Sequence, residues 1–161
     1  MSDRASRGEY EDLCGPMIQK IFEEDVVEFP FQLKVHEISV VPDEIIPIQS
    51  KIKEWSHPLF SPPIALILTT GGTGFSPRDI TPEAITPLLH RQAQSLSLAL
   101  LNEGLRHTPL AVLSRPVCGT IHSSLICTLP GSTKAVKENA QALIPLLPRI
   151  IKLMQTGDCD H

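Results

Sequence analysis

No apolar stretch of this sequence approaches the ~20 residues that a membrane-crossing helix requires. Its opening residues, Met1-Ser2-Asp3-Arg4, hold no apolar core of the kind a secretory signal carries. Basic residues are not in excess: 14 Lys and Arg stand against 18 Asp and Glu, a formal net charge of −4. That balance leaves no electrostatic footprint for nucleic acid. The four cysteines (Cys14, Cys118, Cys127, Cys159) show no C-x-x-C spacing, and the six histidines show no paired metal spacing. The pattern fits structural thiols in a reducing compartment better than a zinc site, and the expected location is the cytoplasm. There is no G-x-S-x-G elbow, no internal repeat and no low-complexity tract. Fifteen prolines punctuate periodic segments and do not gather into a linker, so the 161 residues are expected to form one domain.

What the sequence does contain is concentrated between Ile64 and Glu83. A β-prone run, Ile64 to Leu68, stops at Thr69-Thr70-Gly71-Gly72-Thr73-Gly74. Such a run bounded by turn residues predicts a buried strand. The glycines let backbone N–H groups approach a ligand without a Cβ in the way, and the threonine hydroxyls add donors. Pro77-Arg78-Asp79 follows, then Thr81-Pro82-Glu83, which reads as a helix start with Thr as N-cap and Pro at the first helical position. A strand, a hydroxyl- and glycine-rich loop and a helix N-terminus together suit an anion. The same residues also serve a plain tight turn. No Gly-Lys-Ser/Thr follows, which excludes a P-loop, and the helix begins too late for a dinucleotide G-x-G-x-x-G.

Elsewhere the pattern predicts a helix over Glu9 to Glu24 with Met17, Ile18, Ile21 and Phe22 as its apolar stripe, and a strand over Lys34 to Val41. A helix starting near Pro47 would place Ile48, Ile52 and Trp55 on one face. A further helix begins at Pro82 and breaks at Pro87. Another runs from Arg91 to Leu101, with Gly104 as its stop. Leu110 to Leu113 and Ser124 to Leu129 read as strands, and a long helix extends from Ser132 to about Met154, bent by Pro145 and Pro148. Strands alternating with helices predict a three-layer α/β/α sandwich with a mostly parallel sheet.

Two carboxylates stand out. Asp43, in Val41-Pro42-Asp43-Glu44, and Asp79 both follow segments read as strand, on the side where open α/β sheets place ligands. Either could be a helix cap or an ion-pair partner. Together beside a phosphate loop they would suit Mg²⁺, which takes hard oxygen ligands and substrate phosphates. Ser132, after Pro130-Gly131, reads as an N-cap that also presents N–H groups to an anion. Arg115 is a candidate phosphate contact or a surface charge.

Several separated motifs, in order, resemble one family. Thr69-Thr70-Gly71-Gly72-Thr73-Gly74 with Pro77-Arg78-Asp79 and Thr81-Pro82-Glu83-Ala84 looks like the signature of the molybdopterin adenylyltransferases, the MogA/MoaB-like proteins that include the gephyrin G domain. Ser2-Asp3-Arg4 with Asp12 and Gly15, Val41 to Glu44, Leu113 to Gly119 and Leu129-Pro130-Gly131-Ser132 are similar to its other motifs, the animal gephyrin branch above all. The resemblance implies transfer of adenylyl from MgATP to molybdopterin with release of pyrophosphate. It implies catalytic, metal-associated roles for Asp43 and Asp79. It implies substrate contacts from Ser2, Asp3, Thr70, Gly71, Gly72, Thr73, Gly74, Arg115, Pro130, Gly131 and Ser132. It also implies a homotrimer, with Leu96, Leu100 and Leu101 as a candidate apolar face, and delivery of product to a MoeA-like molybdate-insertion domain or protein. The family's apolar first strand has no counterpart before Ser2, so the expectation is a shortened form, active or surviving as a non-catalytic, gephyrin-like oligomerisation module.

Overall fold

The structure is a computed structural model that describes residues 12–23, 33–60 and 63–156. Helix α1 (Cys14–Glu23) starts where Asp12 caps it: Oδ1 accepts from the Cys14 and Gly15 amides at 3.0 and 3.3 Å. Helix α2 (Ile45–Trp55) holds Pro47 in its first turn, where a missing N–H leaves no bond unmade. Ile48 and Ile52 on its inner face are buried, with Trp55 packed beside them. Strand β1 (Leu66–Thr70) ends at the glycine loop, and α3 (Thr81–Ile85) follows that loop. Then come β2 (Arg91–Gln92), α4 (Gln94–His107), β3 (Cys118–Ile121), β4 (Ser124–Leu129), α5 (Thr133–Leu143) and α6 (Leu147–Thr156).

The sheet runs in the order β1-β4-β3-β2. β1 and β4 pair in parallel from Leu66↔Leu125 to Thr70↔Leu129, whereas β3 is antiparallel to both β4 and β2. Among the described strands, β3 is therefore the one that runs against the others. Side-chain alternation then sends β4 to two cores. Leu125, Cys127 and Leu129 pack under α1, α5 and α6, and Ile126 joins Ile67 and Ile121 under α2 and α3. Helices on both faces give the three layers that the α/β patterning predicts.

Four local expectations fail, each for a physical reason. Residues 34–41 carry no strand. They are separated from β1 by a cavity of about 870 Å³, lined by that segment, by Ile48, Ile52 and Trp55 of α2, and by residues 63–70. Gly104 does not stop α4. It is buried against Ala111, to whose Cβ an added Cβ would come within 2.9 Å, so packing outweighs its poor helix propensity. Leu110 to Leu113 is a 3-10 turn opened by Pro109 and capped by Thr108, whose side chain accepts from the Leu110 amide. Arg91 and Gln92 pair as a short strand with Thr120 and Gly119 instead of opening the helix. The predicted bend in the last helix is present: a 3-10 turn, Ile144–Leu146, separates α5 from α6.

Candidate functional site

The loop between β1 and α3 is built by two consecutive left-handed residues, Gly71 (φ 84°) and Gly72 (φ 63°). A Cβ on Gly72 would collide with the Thr81 hydroxyl, so both the angle and the space require glycine. The loop's backbone hydrogen bonding is one-sided. Thr81 donates through its hydroxyl to the Gly71 carbonyl (3.0 Å) and through its amide to the Gly72 carbonyl (3.0 Å). Arg115 donates through its amide to the Thr73 carbonyl (2.8 Å), through Nε to the Gly74 carbonyl (2.8 Å) and through Nη2 to the Asp79 carbonyl (2.6 Å). The carbonyls of residues 71–74 are thus all engaged. The amides of Gly72, Thr73, Gly74 and Phe75 donate to no acceptor among the described residues. Successive amides left over in this way make an anion nest.

Thr81 therefore does not serve as an N-cap. Ile80 holds that position with no side-chain bond, and the Thr81 hydroxyl ties the helix start to the loop. Ser132 does cap its helix, accepting from the Ala135 amide at 3.3 Å. Gly131 lies against Gly71, its would-be Cβ 3.2 Å from the Gly71 Cα, so the loop after β4 and the loop after β1 meet. Parallel pairing of β1 with β4 is what brings these two strand ends together.

Between them opens a cavity of about 370 Å³. Gly72, Thr73, Gly74, Asp79, Pro130, Gly131 and Ser132 form its polar rim, and the start of α5 contributes a favourable dipole for anions. Leu100, Leu101, Leu110 and Leu113 give an apolar wall. Such a mixture fits a small ligand with an apolar portion and a charged end. Thr70, Gly71, Arg115 and Asp43 do not line this cavity; Asp43 stands behind the loop, close to Gly72. Thr70 lines the larger one, Gly71 supports Gly131, and Arg115 is occupied by the loop. Ser2 and Asp3 lie outside the described residues. Leu96 and Leu100 are buried in this chain's own core, which removes them from any exposed association face.

The two aspartates flank the glycine loop. A Cβ on Gly72 would sit 3.4 Å from Asp43 Oδ1, and one on Gly74 would sit 2.8 Å from Asp79 Oδ2. Asp79 Oδ2 accepts from the Ser76 amide at 2.8 Å, which closes the turn that leads to α3. Burial, and then the nearby Asp79 charge, raise the Asp43 carboxyl above the ordinary carboxylate range. Two carboxylates beside unused amides could offer hard oxygen ligands to a divalent cation. No group of three or more His, Cys, Asp or Glu side chains that could hold a metal ion occurs among the described residues.

Sequence reasoning missed several cavity residues. Ser114 shares a 3.2 Å hydroxyl contact with Thr73. Glu138 is held by His107 Nδ1 at 3.3 Å, and Asn139 Nδ2 donates to the Ala135 carbonyl at 2.9 Å. A helical i, i+1 pair such as Glu138 and Asn139 carries no motif; only the placement of α5 against α4 brings it to the cavity.

Comparison with known proteins gives one consistent answer. Residues 1–149 match the family described as probable molybdopterin binding domain. Gephyrin of Dictyostelium discoideum is 44% identical over 159 residues, which cover 96% of this chain and 22% of gephyrin. A molybdopterin adenylyltransferase of Helicobacter pylori (strain J99) is 33% identical, with 95% of this chain and 83% of the bacterial protein covered. The crystal structure of the molybdopterin biosynthesis enzyme MoaB from Thermus thermophilus superposes with a TM-score of 0.83 at 39% identity, over 98% of this chain and 92% of the other. The chain spans about a fifth of the length of gephyrin and most of the length of the bacterial enzyme. With the glycine loop, the paired aspartates and the Pro130-Gly131-Ser132 turn in place, this chain belongs to the molybdopterin-binding domain family of molybdenum cofactor biosynthesis.

Proposed function

We propose that the chain is a molybdopterin adenylyltransferase: it binds molybdopterin and MgATP at the 370 Å³ cavity, joins the terminal phosphate of molybdopterin to the α-phosphorus of ATP and releases pyrophosphate. The single observation that carries this is the loop with every carbonyl from Gly71 to Gly74 engaged and the amides of the cavity-lining Gly72, Thr73 and Gly74 left without acceptors. Phosphoryl and nucleotidyl transfers ask little covalent chemistry of a protein. They ask for position and for neutralisation of phosphate charge. The loop amides and the N-terminus of α5 hold anionic oxygens, while the leucine wall accepts the flat pterin. Asp43 and Asp79 would hold Mg²⁺, and the ion would supply charge neutralisation at the phosphates. A cation held there would offset the burial, and after it the Asp79 charge, that raise the Asp43 carboxyl.

Further parts of this reading come from kinship alone. The product passes to a MoeA-like molybdate-insertion domain or partner, and the active assembly is a homotrimer in the cytoplasm. Among the described residues no helix is long and apolar enough to cross a membrane. The exposed leucines Leu98 and Leu105 of α4 are among the apolar residues available for self-association, and light scattering measures the assembly. An unused set of phosphate donors has no purpose in an oligomerisation module, which favours the enzyme over the scaffold.

The test is pyrophosphate release from MgATP in the presence of molybdopterin. Asp43→Asn and Asp79→Asn should each lower turnover by about 100-fold or more, the scale of removing one preorganised electrostatic contact, with far-ultraviolet circular dichroism unchanged. Near-normal turnover in both variants overturns the assignment.

A further inference from the structure

Arg115 reaches the glycine loop from 36–42 residues away and touches it at Thr73, Gly74, Phe75 and Asp79. Its own amide and two of its side-chain nitrogens donate to the carbonyls of Thr73, Gly74 and Asp79. Its Nη1 pairs with Glu83 in the first turn of α3, with Nη2 at 3.4 Å from the second Glu83 oxygen. Its guanidinium carbon lies 5.5 Å from the Phe75 ring centre. The hydrogen bond from Arg115 holds the Glu83 carboxyl below the ordinary carboxylate range, so Glu83 stays charged. Ser114 and Pro116, on either side, line the ligand cavity, whereas Arg115 does not.

An arginine beside a phosphate site is ordinarily read as a phosphate ligand. Here the geometry points to a different role: Arg115, locked by Glu83, is a positioning residue that turns the loop carbonyls outward and so leaves the amides of residues 72–74 for the phosphate, without touching the phosphate itself. Three carbonyls bound by one residue cannot rotate toward the cavity, where they would repel an anion. Nη1 and Nη2 are shared between Glu83 and the Asp79 carbonyl, and Nε is taken by Gly74. Arg and not Lys is needed, because only the planar fork can serve two carbonyls and a carboxylate at once. This inference rests on the phosphate-binding reading of the loop, but its main readout does not depend on catalysis.

Glu83 separates the two roles. If Arg115 contacts phosphate, Glu83→Gln releases the guanidinium and holds or improves anion binding. If Arg115 is a clamp, Glu83→Gln weakens binding in the same direction as Arg115→Met. Calorimetry with MgATP as probe should show Arg115→Met weaker by about 10- to 100-fold, the scale of one or two charge-assisted hydrogen bonds. Arg115→Lys should recover only part of that loss. Glu83→Gln should weaken binding severalfold, and the double variant should be no worse than Arg115→Met alone. Amide exchange in the ligand-free protein supplies the second arm. Ser76 donates to Asp79 Oδ2 and Asp79 donates to the Ser76 carbonyl at 2.8 Å, so these two amides report whether the turn is closed. Exchange at both should rise about tenfold or more in Arg115→Met, as expected where a low-stability loop loses its tether. Unchanged exchange with lost MgATP binding, or tighter binding in Glu83→Gln, overturns the clamp. Faster exchange with failed adenylyl transfer in the wild-type chain would overturn the proposed function and leave the clamp standing.

Discussion

The two cavities of this molecule differ in a way that size alone would misjudge. The larger, about 870 Å³, runs between residues 33–41 and the outer edge of β1 and is walled by Ile18, Phe22, Ile48, Ile52 and Trp55 among others. The smaller, about 370 Å³, lies at the carboxyl ends of β1 and β4, where two loops meet. Only the smaller is bordered by a glycine with left-handed backbone, Gly72, by a helix N-terminus and by amides without acceptors among the described residues. The larger flanks a strand edge that pairs with nothing among the described strands. One is therefore a place where chemistry has been arranged, and the other a place where packing is thin. Donors identify a site, and volume by itself does not.

The strongest way to break this contrast is Gly72→Val. The change forces a β-branched residue into φ 63° and drives its Cβ into the Thr81 hydroxyl. Left-handed backbone alone costs about 1–2 kcal/mol for such a residue, and the loop must shift to relieve the collision. We expect MgATP binding to fall by about 100-fold or more, the equivalent of roughly 2.7 kcal/mol. Calorimetry checks this, and binding within threefold of wild type would mean that the loop amides do not hold the phosphates.

Ile52→Ala is the converse experiment. Ile52 is 2% exposed and faces the larger cavity. Truncation should lower stability by about 2–5 kcal/mol, read by urea denaturation, while MgATP affinity below the melting range stays within about twofold. A matching loss of affinity would show that the two cavities are coupled through β1.

A smaller effect is expected in amide exchange. β4 is paired on both sides, by β1 and β3, so its amides from Ser124 to Leu129 should exchange slowest. β1 is paired with β4 alone among the described strands, so its amides should divide into slow and fast sets in alternation. Uniform slow exchange along Leu66–Thr70 would show that the outer edge of β1 is covered in solution.

Much of this was legible in the sequence, and the reasons differ by element. The β1 run and its arrest at Thr69-Thr70-Gly71-Gly72 are local signals, and they predict the loop where it stands. Ser132 as a cap and Asp79 as a residue of the same rim are local too. Cys118-Gly119-Thr120-Ile121 was not legible as a strand because it is four residues long and interrupted by glycine; only pairing with β4 and β2 makes it one. Cys118 and Cys127 face one another across that pairing and are buried, in line with their reading as core thiols. The Arg115 bonds span 36 and 41 residues, and no spacing rule reaches that far. Residues 34–41 have the apolar pattern of a strand, but a strand is a relation between segments, and no described segment pairs with this one.

The least perturbing test concerns Asp43 and pH. Its carboxyl is raised above the usual range, first by burial and second by the Asp79 charge. A raised carboxyl is protonated in both folded and unfolded chains at sufficiently low pH, so it contributes no penalty there. As pH climbs through the unfolded value of about 3.9, the unfolded chain releases the proton first, and the folded state loses relative stability until its own higher pKa is passed. At neutral pH the charged Asp43 is thus a net burden on the ligand-free fold. Asp43→Asn should melt at a slightly higher temperature than wild type at pH 7 and at the same temperature below about pH 3, where both side chains are neutral. Mg²⁺ with ATP should erase the neutral-pH difference by stabilising only the wild type, because a bound cation favours the charged carboxylate. A variant that melts lower at pH 7 without ligand would show that the Asp43 charge supports the fold, and its placement beside the phosphate loop would then be structural.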